Sequence, residues 1–230
     1  MRCAIMQPHY LPWTGYFNLA SQVDVFVFLD DVQFSRRSWQ NRNRILMHGK
    51  EIILTVPVKK HDRDTKIIDI EIDTAQAWWK NHWESLTWCY SKTPHGADIL
   101  DLLHSFYQAP VGNNLAVFNE KIIRSIMNAF DINVDLVRAS ELACGGKRSE
   151  HLLQIVKTLG CNKYISPKGS EDYLVADGFV NQRGVDLEFQ SYEPSVYRQF
   201  KSTQFISHLS VVDVIANLGI KKSRDYILRA

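Results

Sequence analysis

Polar and aromatic side chains that could do chemistry crowd into one short stretch near the start of the chain. Residues 5–16 read IMQPHYLPWTGY and supply the candidate site residues Gln7, His9, Tyr10, Trp13 and Tyr16. Pro8 and Pro12 fix backbone φ and remove hydrogen-bond donors, so the stretch is predicted to be a rigid loop. Loops that follow the carboxyl ends of strands bind ligands in α/β proteins, so this loop is predicted to form the wall of a site. The alternative is a proline-stiffened turn whose aromatic side chains cap the core.

A second group of candidate residues directly follows the apolar run Val25–Leu29. Asp30 and Asp31 are carboxylates that could accept a proton, as could His9, and the three are the predicted catalytic residues. The substrate-binding candidates that come next are Gln33, Arg36, Asn41, Arg42 and Asn43. Arginine and asparagine can bind a phosphate or a carboxylate in a forked geometry. Adjacent carboxylates at the end of a strand are also common as helix caps and turn formers.

These two groups are predicted to share one pocket. If the first two strands are parallel neighbours, the loops that follow them converge at one edge of the sheet. The prediction is that Gln7, His9 and Tyr10 face a pocket shared with Asp30, Gln33, Arg36, Asn41 and Arg42.

Lysine residues at the ends of other predicted elements add candidates for binding an anion. Lys59 ends an apolar run, and Lys168 precedes a predicted helix in the segment Ser166-Pro-Lys-Gly-Ser170. The segment Gly145–Ser149 likewise places glycines and Lys147 before a helix, where free backbone amides favour an anion. Neither segment matches the phosphate-binding loop GxxxxGK[ST]. Flexible turns without a ligand would have the same composition.

The charge distribution favours a small anionic ligand. Residues 36–66 carry nine lysine and arginine residues and three acidic residues, a net charge of +6, whereas the whole chain has +2. A local positive field within an otherwise mildly acidic protein suits a phosphate or a carboxylate. A nucleic-acid binder would more often be basic throughout. A solvated charged surface is the alternative interpretation.

The four cysteines are widely scattered, without CxxC or Cys/His spacing, so neither a metal site nor a disulfide is predicted.

The apolar run at the start is cut off at Gln7 and Pro8, which is unlike a signal peptide. No run approaches the roughly 20 apolar residues of a membrane span. A cytoplasmic location is therefore expected.

Apolar runs and helical periodicity alternate along the chain. Ala4–Met6 and Val25–Leu29 are short, apolar and unalternating, and are predicted to be adjacent central strands of a parallel sheet. Ile52–Val58 is interpreted in the same way, and 68–72 as a strand with one wet face. The fold class predicted is α/β, Rossmann-like, with a mainly parallel sheet. We expect a single domain over residues 1–230, in which a helical insertion at 75–130 covers one side or forms a lid.

Several quoted motifs together resemble the WbqC-like family. They are QPHYLPWTGYF, DVFVFLDDVQFSRRSWQNRNRI, the strand ending PVKK, GKRSEHLLQIVKTLG, YISPKGSEDYL and HLSVVDVIANLG, which cover essentially the whole chain in order. The family motif maps onto Gln7, Pro8, Tyr10, Pro12, Gly15, Tyr16, Asp30, Asp31, Gln33, Arg36, Asn41, Arg42 and Asn43. The resemblance implies a transferase of bacterial O-antigen or other surface-polysaccharide biosynthesis. Its implied reaction attaches an acyl or aminoacyl group, such as glycyl, to an amino sugar on a nucleotide carrier.

The start of the chain is also similar in architecture to HIGH-motif nucleotidylyltransferases and class I synthetases. Tyr16 stands where the second histidine of that motif would fall, and its spacing from His9 is longer. ATP-dependent nucleotidylyl transfer to a small acid, with ATP and Mg²⁺ as cofactors, is therefore kept as an alternative. A non-catalytic protein that binds a nucleotide sugar is the alternative from another class. In all three cases the expected partner is a small anionic molecule rather than a nucleic acid.

Overall fold

Five parallel strands form the central sheet in the part of the chain that the computed structural model describes, residues 1–108, 112–179 and 184–229. The strands are β1 (Arg2–Met6), β2 (Val25–Phe28), β5 (Asp135–Arg138), β6 (Lys163–Ser166) and β7 (Asp186–Phe189), in the spatial order β5-β2-β1-β6-β7. This order is consistent with a Rossmann-like α/β fold, as predicted. The predicted pairing of the first two strands is confirmed, because Ala4 lies opposite Phe26 in parallel register.

Helices cover both faces of this sheet. They are α1 (Thr14–Ser21), α2 (Trp78–Tyr90), α3 (Gly96–Tyr107), α4 (Leu115–Ala129), α5 (Ala139–Leu142), α6 (Ser149–Thr158), α7 (Glu171–Ala176), α8 (Val211–Leu218) and α9 (Ile220–Leu228). Successive side chains of a strand point to opposite faces. Ala4 of β1 therefore packs in one apolar cluster with residues of α1, α4 and α8. Its neighbours Cys3 and Ile5 pack in the second cluster with residues of α6 and α7.

Residues 42–55 form an antiparallel hairpin outside the central sheet. Its strands are β3 (Arg42–Met47) and β4 (Lys50–Thr55), with Ile45 opposite Ile52. The prediction that Ile52–Val58 is a parallel strand buried on both faces is therefore wrong. A continuous apolar run predicts burial on both faces, but the side chain of Ile53 points to solvent and is 54% exposed. The next residue, Leu54, is buried. Such alternation is typical of an antiparallel strand with one wet face.

Residues 67–72 do not form the strand that their alternation predicted. Ile67–Asp69 is a 3₁₀ turn, followed by the isolated bridges of Glu71 to Asn114 and of Ile72 to Val58. Ile70 and Ile72 are buried nevertheless. The apolar pattern therefore predicted the core residues correctly, but its prediction of a strand was wrong.

The helical insertion at 75–130 contributes α2, α3 and α4, whose buried side chains join the larger apolar cluster. Its role as a lid stays a prediction. After α8, the chain continues almost at once into α9. Gly219 adopts φ of 79°, ends α8 and immediately precedes α9, and a side chain there would collide with the ring of His95.

The insertion carries a buried polar cluster against the first loop. The Tyr10 hydroxyl lies 2.8 Å from Nδ1 of His82 and 2.5 Å from the hydroxyl of Tyr107. His82 is 7% exposed, and burial lowers its pKa from 6.5 to about 4. The folded protein therefore keeps His82 neutral at pH 7.

Lowering the pH should destabilise the fold through His82. The unfolded chain binds a proton to this histidine below pH 6.5, whereas the folded protein resists until about pH 4. The stabilisation is fully present above pH 6.5 and is lost as the pH falls toward 4. Because the unfolded chain binds this proton more readily, the free energy of unfolding should decrease by about 2 kcal/mol between pH 7 and pH 5. Urea unfolding at pH 7 and pH 5 measures this decrease. In His82→Asn, the free energy of unfolding should fall between the two pH values by about 2 kcal/mol less than in the wild type.

The control for this experiment is the exposed His104 of the neighbouring α3, whose substitution His104→Asn should leave the pH dependence of unfolding unchanged. An unaltered pH dependence in His82→Asn would contradict the assignment.

Candidate functional site

The largest convergence of polar groups lies at the carboxyl edge of the central sheet. Here β1 lies between β2 and β6, and the connections that follow run in opposite directions from this point. Such a topological switch point is where open α/β sheets bind ligands. A cavity of about 870 Å³ occupies this edge, and we call it the switch-point cavity. Its polar lining includes Gln7, Asp31, Gln33, Lys66, Lys147 and His151.

Buried amide side chains hold the loop after β1 in place. Asn119 of α4 is fully buried, and its Nδ2 donates to the carbonyls of Pro8 (2.9 Å) and Gln40 (2.6 Å). Asn43 of β3 donates to the carbonyls of Tyr10 (3.0 Å) and Leu11 (2.7 Å). Carbonyls in a buried loop must be satisfied in this way, because no strand or helix partner is available to them. These hydrogen bonds define the path of the loop, and its rigidity stays a prediction.

The two adjacent aspartates have different environments. Asp30 is 1% exposed and accepts hydrogen bonds from the backbone nitrogen and the hydroxyl of Ser140, at 2.9 and 2.7 Å. Burial raises its pKa although these hydrogen bonds oppose the shift. Asp30 thus caps the first turn of α5, whereas Asp31 lines the switch-point cavity. Of the two predicted catalytic aspartates, only Asp31 is placed where it can meet a ligand.

Asp31 faces His151, a residue of α6. The distance from its Oδ1 to Nε2 of His151 is 3.2 Å, and Nδ1 of His151 lies 2.8 Å from the carbonyl oxygen of Gly145. A carbonyl can only accept, so Nδ1 carries a hydrogen. The contact between Nε2 and a carboxylate then requires one more proton. This pair places an exchangeable proton at the wall of the cavity.

The start of α6 supplies the cationic side of the cavity. Gly146, Lys147 and Arg148 precede the helix and line the cavity, as does Lys66 from the opposite wall. Gly146 has φ of 82°, and a Cβ there would lie 3.0 Å from the backbone nitrogen of His151. A larger residue would therefore crowd the first turn of α6, and helix N-termini attract anions.

Charges of both signs line the cavity. Arg148 pairs with Asp177 at 3.3 Å, and Asp31 faces His151. In the described part of the chain, Lys66 and Lys147 have no ion-pair partner. Asp64 contributes the remaining lining carboxylate. The two lysines are thus the charges most readily available to a ligand.

A smaller pocket lies on the other side of the same loop. Its volume is about 300 Å³ and its lining residues are His9, Trp13, Trp39, Asn43, Arg44 and His208; we call it the tryptophan pocket. The rings of Trp13 and His208 are stacked with centroids 4.7 Å apart, and the guanidinium of Arg44 lies 5.5 Å from the centroid of Trp39. Burial lowers the pKa of His9 to about 4, so this imidazole is neutral at pH 7.

The single shared pocket predicted from the sequence is therefore divided in two. Gln7 and Gln33 line the switch-point cavity, whereas His9 and Trp13 line the tryptophan pocket. Tyr10 does not face either, because it is fully buried against α2 and α3. The prediction was wrong on this point because the kinked loop sends successive side chains in different directions.

The other predicted site residues are spread more widely. Tyr16 is 1% exposed and donates to the carbonyl of Gln7 at 3.2 Å, so it supports the loop from the core. Asn41 is also buried and donates to the carbonyl of Val56 at 3.0 Å. Asn43 borders the tryptophan pocket, but its amide is used within the protein. Arg42 is half-buried in β3, and its Nε has no hydrogen-bond partner among the described residues.

Three predicted cationic residues are exposed. Arg36 lies in the loop that precedes the hairpin, and Lys168 lies in the 3₁₀ turn just after β6. Lys59 pairs with Glu71, with Nζ and Oε2 2.6 Å apart, and this contact raises the pKa of Lys59. None of the three is a lining residue of the switch-point cavity.

Sequence reasoning did not identify His151, Lys66 or Tyr173 as site residues. The segment Gly145–Ser149 was recognised as an anion-favouring helix start, and the structure brings Gly146 and Lys147 to the cavity. His151 is two residues further along, so its position in the first turn of α6 was the available signal. Its pairing with Asp31, 120 residues earlier, depends on tertiary structure.

Another cavity, of about 760 Å³, lies between the β3–β4 turn, α2 and α8. Trp88, Phe200 and Lys201 are among its lining residues, together with the buried carboxylate of Asp213. That carboxylate already accepts hydrogen bonds from Tyr197 and Gln199. We assign the candidate site to the switch-point cavity, because it combines the strand ends with accessible cations and the Asp31–His151 pair.

Comparison with known proteins identifies the family. The chain belongs to the WbqC-like protein family, whose model matches residues 7–225. It is similar to the uncharacterized protein Rv1507c of Mycobacterium tuberculosis, with 30% identity over 229 residues that cover 98% of this chain and 97% of that protein. No solved structure matches the chain.

Within the described residues, no group of three or more His, Cys, Asp or Glu side chains is arranged to hold a metal ion. The helices in the same part of the chain are all too short or too polar to cross a membrane. All four cysteines have free thiols.

Replacing Asn119 with alanine should loosen the loop that separates the two pockets. The substitution leaves the carbonyls of Pro8 and Gln40 buried without a donor, which should lower the free energy of unfolding by about 2–4 kcal/mol. Chemical denaturation measures the loss. Asn128→Ala, at an exposed position of the same helix, is the matched control and should change stability by less than about 0.5 kcal/mol. Equal effects of the two substitutions would show that Asn119 does not anchor the loop.

Proposed function

We propose that this protein is a transferase that attaches an acyl or aminoacyl group, such as glycyl, to an amino sugar carried on a nucleotide. The switch-point cavity binds the nucleotide-linked substrate. The observation that carries the proposal is a convergence around one cavity at the strand ends. It brings together the start of α6, two lysines that have no ion-pair partner among the described residues, and the Asp31–His151 pair.

The pyrophosphate of the substrate is assigned to the start of α6. Gly146 and Lys147 belong to the turn before this helix, and Lys66 also lines the cavity. A helix N-terminus and lysine side chains both favour a phosphate. The local excess of positive charge in residues 36–66, to which Lys66 belongs, acts in the same direction.

Asp31 is assigned the role of general base. The nitrogen of the amino sugar attacks an activated acyl carbonyl, a carbon–nitrogen bond forms, and the bond to the leaving group breaks. The proton that the nitrogen loses passes to the carboxylate of Asp31. His151 holds that carboxylate in place through its Nε2 and is itself held by the carbonyl of Gly145.

The place of the reaction follows from the family resemblance. We propose a role in the biosynthesis of bacterial O-antigen or another surface polysaccharide, in the cytoplasm, where nucleotide-linked sugars are assembled. ATP-dependent nucleotidylyl transfer is less well supported, because Tyr16 stands at the position of the second histidine and is buried.

A thermal-shift screen with nucleotide-linked sugars tests the binding step. At a ligand concentration of 100 times Kd, binding stabilises the native state by about 2.7 kcal/mol, which should raise Tm by about 5–8 °C. Lys147→Ala and Lys66→Ala should lose most of this shift. Lys157→Ala, exposed in the last turn of α6, is the matched control and should retain it. The shift should also decrease with salt, because charges at an open site are screened.

Two results would count against this proposal. Either no nucleotide or nucleotide-linked sugar, with or without Mg²⁺, raises Tm, or both lysine variants keep the full shift. If binding is retained but Asp31→Asn and His9→Ala leave the flux of the pathway unchanged, the protein is a non-catalytic nucleotide-sugar binder.

A further inference from the structure

The tryptophan pocket has the composition of a binding site for an uncharged ring. We propose that it is a carbohydrate subsite, in which a neutral pyranose ring packs against Trp13 and Trp39 and exchanges hydrogen bonds with His9. This inference goes beyond the proposed function and does not depend on it, because the ring bound here is separate from the amino sugar that reacts beside Asp31.

The charges around the pocket are already compensated. Arg44 pairs with Glu51, with NH1 and Oε2 3.1 Å apart, and its NH2 donates to the carbonyl of His208 at 3.0 Å. His9 is neutral at pH 7, because burial lowers its pKa to about 4. Among the residues that the structure describes, no carboxylate lines the pocket. A charged ligand would lack a counter-charge here, so the occupant is expected to be neutral.

His9 is one of the polar side chains of the pocket that remain available to a ligand, and Nε of Arg44 also has no hydrogen-bond partner among the described residues. Asn43 uses its amide within the protein, since Nδ2 donates to two loop carbonyls and Oδ1 accepts from the backbone nitrogen of Arg44. His9 makes a ring contact with Tyr16 but no hydrogen bond to any described residue. A neutral imidazole carries one donor and one acceptor. A sugar hydroxyl, which both donates and accepts, can satisfy either nitrogen.

The indole rings supply the apolar surface that a pyranose needs. One face of Trp13 is covered by His208, and the edge of its ring meets Tyr192. The orientation of Trp13 depends on Gly15, where a Cβ would lie 2.2 Å from the indole. A pyranose presents an apolar C–H face and a rim of hydroxyls. Apolar walls with a few placed polar groups are characteristic of small-molecule sites.

The two pockets lie on either side of the loop after β1. Gln7 lines the switch-point cavity and His9 lines the tryptophan pocket, and Cα atoms two residues apart are separated by about 7 Å at most. On the facing loop, Gln40 donates to Oε1 of Gln7 at 2.8 Å, and its neighbour Trp39 lines the tryptophan pocket. The tryptophan pocket is therefore a neighbouring subsite, separate from the place beside Asp31 where the nitrogen of the amino sugar reacts.

Saturation-transfer NMR with free monosaccharides tests the subsite without any nucleotide. The probes are N-acetylglucosamine and N-acetylgalactosamine at millimolar concentration. We expect transfer from the wild-type protein to at least one of them, and an affinity about tenfold lower in Trp39→Ala, as expected for the loss of one stacking contact. His9→Ala should weaken binding similarly. Trp39 is 42% exposed, so its replacement should be tolerated by the fold.

Trp88→Ala is the matched control, because Trp88 is 69% exposed and lines a different cavity. It should leave sugar binding unchanged. The inference is overturned if neither sugar receives transfer, if Trp39→Ala binds as well as the wild type, or if uridine or adenosine binds there and the sugars do not. Lys147→Ala should not affect free sugars, so failure of the carbohydrate subsite and failure of the phosphate site remain distinguishable.

Discussion

The site depends on the burial of a loop whose carbonyl groups have no partner in regular secondary structure. The segment between β1 and α1 contains two prolines, and Leu11 within it is fully buried with φ of 42°. Asn119 and Asn43 satisfy four carbonyls at and around this segment. An unsatisfied buried carbonyl costs about 1–3 kcal/mol, so these two amides fix the path of the loop. That path directs Gln7 to one side and His9 to the other.

This constraint also explains what the sequence could and could not predict. The central strands were predictable because both faces of β1 and β2 are buried, which requires continuous apolar runs. The segment from Asn41 to Arg44 was interpreted as an anion-binding group, but most of it forms β3. A buried asparagine cannot be distinguished from a ligand-binding one when its partner, the carbonyl of Tyr10, lies 33 residues earlier in the chain.

The candidate site was predictable to the extent that it follows from local geometry. Loops after neighbouring parallel strands do converge, which is why Gln7 and Asp31 line the same cavity. The difference between Asp30 and Asp31 was not predictable, because it depends on Ser140 in a distant helix. His151 was missed for the same reason. Distances across the fold, rather than residue types, decide which polar groups meet a ligand.

The structure of the protein with a bound nucleotide-linked N-acetylated amino sugar tests the central claim most directly. The account predicts that the pyrophosphate lies within hydrogen-bond distance of the first-turn amides of α6 and near Lys147, with the nitrogen of the sugar beside Asp31. A ligand seated instead in the cavity beside Trp88, with the start of α6 untouched, would contradict it.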